Sequence, residues 1–175
     1  MNRFLSLLTV AAAVLGAVAA PTAAQARAEP AYYQVVNGWN DQCLDVWGAA
    51  TGHAANVGTW RCVGADNQLW YRELAGNFDG RNYYYIRARH TGMCLNVAWW
   101  GQADGSDVVQ ATCSGNTNEQ WQLEPIGTAG YVRLIARHSQ KCLDKTAGND
   151  AVQWKCWGTG EPWQHWRFAY IGGTP

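Results

Sequence analysis

The sequence predicts an all-β chain of three equal parts that close into a three-fold barrel. Three observations carry this. A pair of cysteines recurs three times, the first members standing 51 and then 48 residues apart at Cys43, Cys94 and Cys142. A segment of alternating character precedes each pair. Beyond the amino-terminal stretch, no long 3.6-residue periodicity appears, so nothing reads as a sizeable helix. The 175 residues suit one domain.

The chain opens with Asn2-Arg3, an apolar Ala-rich run from Phe4 to Ala20, and small residues ending in Ala24-Gln25-Ala26 or Ala26-Arg27-Ala28. A short basic start, an apolar centre and a small-residue exit describe a secretory signal peptide over residues 1–28, cleaved after Ala26 or Ala28. An amino-terminal membrane anchor is the rival reading, but the run is short and ends in small residues instead of a basic stop. No later stretch is apolar for about 18 residues, so no membrane insertion is expected. The chain holds 13 Lys+Arg against 13 Asp+Glu. Cleavage after Ala28 removes Arg3 and Arg27, leaving 11 basic and 13 acidic residues, a net of −2. That balance offers no electrostatic footprint for nucleic acid.

In the alternating segments, Tyr33, Val35, Asn37 and Trp39 precede the first pair. Tyr84, Ile86, Ala88 and His90 precede the second, and Val132, Leu134, Ala136 and His138 the third. Period two marks half-buried strands, and Gly, Asn, Asp and Thr punctuate the gaps. After each segment comes Cys-Leu-Asp or Cys-Leu-Asn (Cys43-Leu44-Asp45, Cys94-Leu95-Asn96, Cys142-Leu143-Asp144). A second Cys follows at 62, 113 or 156, and then Gln68-Leu69-Trp70, Gln120-Trp121 or Gln164-His165-Trp166. Six cysteines in an exported chain read as a disulfide framework with fifteen possible connectivities. Because each repeat holds two, the expected pairs are Cys43–Cys62, Cys94–Cys113 and Cys142–Cys156. Each closes a short loop worth roughly 3 kcal/mol. One such unit cannot bury its apolar face; three together close the sheet and remove its edges. A three-bladed propeller is the alternative, against the four or more blades propellers usually have.

The Gln-x-Trp triplets in register with Cys-Leu-Asp resemble the repeat of ricin-B-type (R-type) lectins, over about Ala31 to Ile171. The resemblance implies a β-trefoil of three repeats (about 31–76, 77–125 and 126–172) with pseudo-three-fold symmetry and one disulfide each. It also implies a secreted, stand-alone carbohydrate-binding protein without cofactor or metal. Trp70, Trp121 and Trp166, with Leu44, Leu95 and Leu143, are expected in the core. His90 and His138 are expected to hydrogen-bond a turn, since no ligand cluster with metal spacing accompanies them.

A sugar site needs a ring to stack on the pyranose C–H face and a carboxylate or amide for its hydroxyls. The family positions are the Asp after Cys-Leu, an aromatic two residues before the second Cys, and the Asn before Gln-x-Trp. In the first repeat these are Asp45, Trp60 and Asn67, with Gln68 behind; Gly58 stands where the family often has Gln, so one polar contact is expected to be lost. The third repeat offers Asp144, Trp154 and Gln164, with Trp163 at the Asn position, able to close over a ligand or to block it. The middle repeat is impaired by the same criteria, with Asn96 for Asp, Ala111 for the platform and Glu119 for Gln. It reads as a degenerate repeat kept for barrel closure, unless Trp99-Trp100 supply a displaced platform or a contact patch.

Galactose- or xylose-type sugars or polysaccharide are the implied ligands. A single shallow site would bind at about 1 mM, and several on one rigid body gain avidity. A glycoside hydrolase needs two carboxylates across the scissile bond, whereas three-fold geometry holds Asp45 and Asp144 far apart. No Gly-x-Ser-x-Gly motif appears either, so the chain is not expected to be an enzyme. The alternative is the cell-binding subunit of a multi-chain toxin or another protein-binding trefoil, partnered by a separate toxin or enzyme chain.

Overall fold

The computed structural model describes residues 29–127, 130–158 and 160–173. The expected signal peptide lies outside the described residues. Four strands form in each repeat. The first repeat has β1 (Tyr32–Asn37), β2 (Cys43–Val46), β3 (Ala55–Trp60) and β4 (Leu69–Phe78). The second has β5 (Arg81–Ala88), β6 (Cys94–Val97), β7 (Ser106–Ala111) and β8 (Trp121–Pro125). The third has β9 (Tyr131–Ala136), β10 (Cys142–Lys145), β11 (Ala151–Trp154) and β12 (Trp166–Gly172). The outer strands of each repeat pair in the closed antiparallel circuit β1–β4–β5–β8–β9–β12 and back to β1. The inner strands form three hairpins, β2–β3, β6–β7 and β10–β11. These hairpins touch around the axis through β3–β7, β7–β11 and a bridge from Gly58 to Asp150. A six-stranded barrel capped by a triangle of hairpins is the β-trefoil, and the closed circuit leaves no barrel strand with an open edge.

The core is threefold in composition as well as in shape. Trp70, Trp121 and Trp166 are fully buried, with Leu44, Leu95 and Leu143 and with Val35, Ile86 and Leu134. Each indole N–H finds the carbonyl of the Leu just before the carboxylate or amide position. Trp70 Nε1 donates to Leu44 O at 2.9 Å, Trp121 Nε1 to Leu95 O at 2.8 Å and Trp166 Nε1 to Leu143 O at 3.0 Å. A buried indole is thereby satisfied, and each barrel strand is tied to its own hairpin. The disulfides join Cys43 to Cys62, Cys94 to Cys113 and Cys142 to Cys156, closing loops of 19, 19 and 14 residues.

Neighbouring repeats are stitched by side chains that reach across. Gln110 Nε2 donates to Ala50 O at 2.7 Å, and Gln153 Nε2 to Gly101 O at 2.7 Å. His90 Nε2–H and His138 Nε2–H donate to the same two carbonyls, each at 3.0 Å. Both histidines thus secure a loop of the preceding repeat. Thr59 N–H donates to Asn149 O at 2.8 Å and completes the ring between the third repeat and the first.

Candidate functional site

Each hairpin, with the turn that follows it, walls an open cleft on the outside of the trefoil. In the first repeat, β2 presents Asp45 and β3 presents Trp60. The 3₁₀ turn Asp66–Gln68 presents Asn67, and the turn Trp47–Ala49 closes the other side. Asp45, Trp47, Trp60, Val63 and Asn67 line a cleft of about 430 Å³. Trp60 is 56% exposed, a free ring face beside a carboxylate that is 6% exposed. The pairing register explains the placement. Trp60 sits opposite Cys43, and Asp45 opposite Gly58, on one short hairpin braced by the disulfide.

Asp45 is held from behind. Gln68 Nε2 donates to Asp45 Oδ2 at 2.8 Å and to Arg61 O at 2.9 Å, while Gln68 Oε1 accepts Val63 N–H at 2.8 Å. Asn67 Nδ2 donates to Val46 O at 3.0 Å. Burial pushes the Asp45 carboxyl above its ordinary range, partly offset by the hydrogen bonds from Gln68 and Asn67 and by the charge at His90. Gln68 is fully buried and lines no cleft, and Gln164 in the third repeat likewise. Both were expected among the sugar-binding residues, Gln68 behind Asn67; the structure has each positioning a carboxylate from the buried side.

Gly58 has a different meaning from the lost contact expected of it. A side chain there would run into the indole of Trp47 and into Asn149 O. The bare position makes room for a second Trp in the first cleft.

The third cleft, about 310 Å³, is lined by Asp144, Lys145, Thr146, Val152, Trp154, Trp157 and Trp163. Gln164 Nε2 donates to Asp144 Oδ2 at 2.8 Å and to Lys155 O at 3.0 Å, repeating the first-repeat arrangement. Here, however, Asp144 Oδ1 accepts the main-chain N–H of Lys145 at 2.7 Å. Burial raises the Asp144 pKa, opposed first by the Gln164 hydrogen bond. Trp163 stands at the Asn position as one wall of the cleft, and Trp39 of the first repeat packs on it at 5.8 Å between centroids.

The second cleft is the smallest, about 200 Å³, and includes Asn96, Trp99, Trp100, Ala111 and Asn118. Its carboxylate is not lost but exchanged. Glu119 takes the place of the buried Gln, its Oε1 accepting Ser114 N–H at 2.7 Å and Asn116 N–H at 3.2 Å. Asn96 Nδ2 donates to Glu119 Oε2 at 3.4 Å, so donor and acceptor have swapped along the same pair. The charge lies behind the cleft instead of in it. Trp99 is 89% exposed on a backbone at φ +53°, where the first repeat has Gly48 at φ +64°. Trp100 packs edge-on to His138.

The sequence pattern pointed to Asp45, Trp60, Asn67, Asp144, Trp154 and Trp163, and the structure brings the first three and the last three together in two separate clefts. It missed Trp47, Trp39, Trp157 and Lys145. Among the described residues, no group of three His, Cys, Asp or Glu is placed to hold a metal, and no helix is long and apolar enough to cross a membrane. Three disulfides fit an oxidising compartment.

The family model described as ricin-type β-trefoil lectin domain-like matches residues 22–110, 74–151 and 117–174, three overlapping matches that together cover all three repeats. No curated protein sequence matches the chain. Among solved structures, the designed three-fold symmetric protein ThreeFoil is 36% identical with a TM-score of 0.73, covering 80% of this chain and 99% of its own. The exo-β-1,3-galactanase 1,3Gal43A from Clostridium thermocellum is 28% identical with a TM-score of 0.72, over 81% of this chain and 30% of its own. The hemolytic lectin CEL-III is 26% identical with a TM-score of 0.62, over 81% of this chain and 31% of its own. The chain thus spans under a third of the length of these last two proteins.

Proposed function

The chain belongs to the ricin-type β-trefoil lectin-like family, a family of carbohydrate-binding domains, and from that premise we propose that it is a secreted, non-enzymatic lectin for galactose- or xylose-type sugars or their polysaccharides. The first cleft is its principal site. One observation carries this: the Trp60 ring, the Asp45 carboxylate and the Asn67 amide line the same open cleft, the combination a pyranose needs. Trp60 and Trp47 are the stacking faces. Asp45 accepts hydroxyl hydrogens through Oδ1, since Oδ2 is engaged by Gln68. The third cleft supplies a second binding point and hence avidity on a polymer.

A glycan and polysaccharide binding screen of the oxidised protein, with Trp60→Ala and Asp45→Ala beside it, tests the proposal. Monovalent binding through the first cleft is expected to fall at least about tenfold in each variant, the scale of one lost stacking ring or charge-assisted hydrogen bond, with the melting temperature held. Undiminished monovalent affinity in both variants would remove the first cleft as principal site. Absence of binding to any sugar by the parent protein would overturn the lectin reading. Trp99 favours a second reading: a large ring 89% exposed on a left-handed backbone is a contact surface for a separate toxin or enzyme chain.

A further inference from the structure

The third cleft is lined by one residue whose counterparts in the other two repeats lie in the core and line no cleft. Where the first and second repeats have Val46 and Val97, the third has Lys145. All three are buried, Lys145 to 4% exposure. An aliphatic side chain satisfies the packing twice, so the fold does not require an ammonium there. The Lys145 ammonium lies 4.7 Å from the centroid of the Trp163 ring and donates to Thr146 O at 3.1 Å. That is one acceptor for a group with three donors. Among the described residues, no carboxylate approaches Lys145 Nζ to within ion-pair distance. Neighbouring Asp144 is occupied otherwise, by Gln164 on one oxygen and by the Lys145 main-chain N–H on the other.

The two clefts therefore differ in charge, the third adding an ammonium to the carboxylate that both contain. In the first, the Asp45 carboxylate lines the cleft with one oxygen held by Gln68, and no cation lines the wall. In the third, a cation with unused donors stands beside the doubly hydrogen-bonded Asp144 carboxylate, on a wall built mainly of Trp154, Trp157 and Trp163. The Trp163 ring holds the ammonium in place by a cation–π contact while leaving its donors available. Burial pulls the Lys145 pKa down and the charge of Asp144 opposes this. Glu161 is the other acidic group felt at the cleft, through its effect on Asp144.

We propose that the third cleft selects a carboxylated pyranose, a hexuronic acid, whose ring lies against the Trp154 and Trp163 faces and whose carboxylate is taken by the Lys145 ammonium. The inference rests on the carbohydrate-binding reading and adds to it the class of sugar and the residue that chooses it. A protein with one neutral-sugar cleft and one acidic-sugar cleft is matched to a branched polysaccharide whose neutral backbone carries uronic acid substituents.

The test uses the oxidised chain carrying Trp60→Ala, which silences the first cleft, titrated with methyl glucuronide and methyl glucoside by calorimetry or by the indole N–H signals in NMR. The third cleft is expected to bind the uronide about tenfold tighter than the neutral glycoside, the scale of one charge-assisted hydrogen bond. The preference is expected to shrink in high salt and to vanish in Lys145→Met, which keeps the stem against Trp163. Lys145→Val, which installs the residue of the other repeats, serves as the second variant if the first folds poorly. Equal affinity for the two glycosides, or a preference that survives both substitutions, overturns the proposal. Failure of the Trp60→Ala chain to bind either glycoside while the parent binds neutral sugar also overturns it, and leaves the lectin reading intact. A parent chain that binds neither kind of sugar removes both.

Discussion

The exchange of carboxylate and amide between Asn96 and Glu119 makes a prediction that can be worked from the structure. Asn96→Asp restores the residue that the other two repeats have, yet it is expected to be the most damaging change in the second cleft. The new carboxylate would stand about where Asn96 Nδ2 now lies, 3.4 Å from Glu119 Oε2. Glu119 is fully buried and Asn96 is 7% exposed. At that distance two unit charges repel by about 5 kcal/mol for an effective dielectric of about 20. The protein's escape is to protonate one of them, which near pH 7 costs about 4 kcal/mol for a carboxyl of ordinary pKa. Both routes set the penalty near 4 kcal/mol, a large part of the 5–15 kcal/mol typical of a whole domain. Glu119→Gln alone costs less, about 2 kcal/mol, because a neutral acceptor replaces a charged one toward the Ser114 and Asn116 N–H groups. Together the two changes rebuild the pair seen between Asp45 and Gln68, and the double variant is expected within about 1 kcal/mol of the parent. Urea unfolding of the four oxidised proteins closes the cycle, with an expected coupling of about 5 to 6 kcal/mol in the stabilising direction. If the double variant is as unstable as the sum of the singles to within about 0.5 kcal/mol, the two residues do not act as an exchanged pair and the reasoning fails.

Two further predictions concern the first cleft. Because burial raises the Asp45 pKa, the acceptor for sugar hydroxyls takes up its proton above the ordinary carboxylate value of 3.8. Affinity for neutral sugar should therefore fall on acidification while pH is still above 3.8, and Asp45→Asn should flatten that profile. The sign for stability is opposite. A carboxyl whose pKa is raised on folding contributes stability below its unfolded pKa and loses it as pH rises through the folded value. Asp45→Asn should accordingly stabilise the chain slightly at neutral pH, where unfolding curves would read it, while weakening binding. Gly58→Ala should cost about 1–3 kcal/mol by overpacking against Trp47 and Asn149 O. Trp47→Ala in the same chain should recover only part of that in thermal unfolding, since the carbonyl stays in place.

Most of the frame was legible in the sequence because the repeat wrote it three times. Trp70, Trp121 and Trp166 were placed inside by the family resemblance that the repeated triplets carry, and all three are fully buried. What the motif did not contain, it did not reveal. Trp39 belongs to the first repeat yet packs on Trp163 of the third, an adjacency created by closure of β1 onto β12 and invisible to spacing along the chain. A signal did exist, since Trp39 stands where the other repeats have His90 and His138, but a position-by-position comparison with the family passes over it. Asn96 and Glu119 were misweighed for a related reason. Taken singly each is a lost sugar contact, whereas taken together they are one hydrogen bond with its donor and acceptor reversed.

The same contrast explains how three clefts on one symmetric frame come to differ. The buried members of each repeat, the Trp of the core, its Leu partner and the hydrogen-bonded pair behind the cleft, are bound to one another and change only in compensated steps. The cleft positions have no such partner. The platform runs Trp60, Ala111, Trp154, and the position after the carboxylate or amide runs Val46, Val97, Lys145. Substitution at the platform costs the fold little, because Trp60 and Trp154 keep 56% and 37% of their surface in water. Lys145 is the informative case, since it is buried like a core residue but varies like a cleft residue. A residue that brings a charge into a buried site without an ion-pair partner costs the free protein some stability. Lys145→Val should therefore leave the chain as stable as before or more so, and a fall in melting temperature would show that the ammonium serves the fold instead of a ligand.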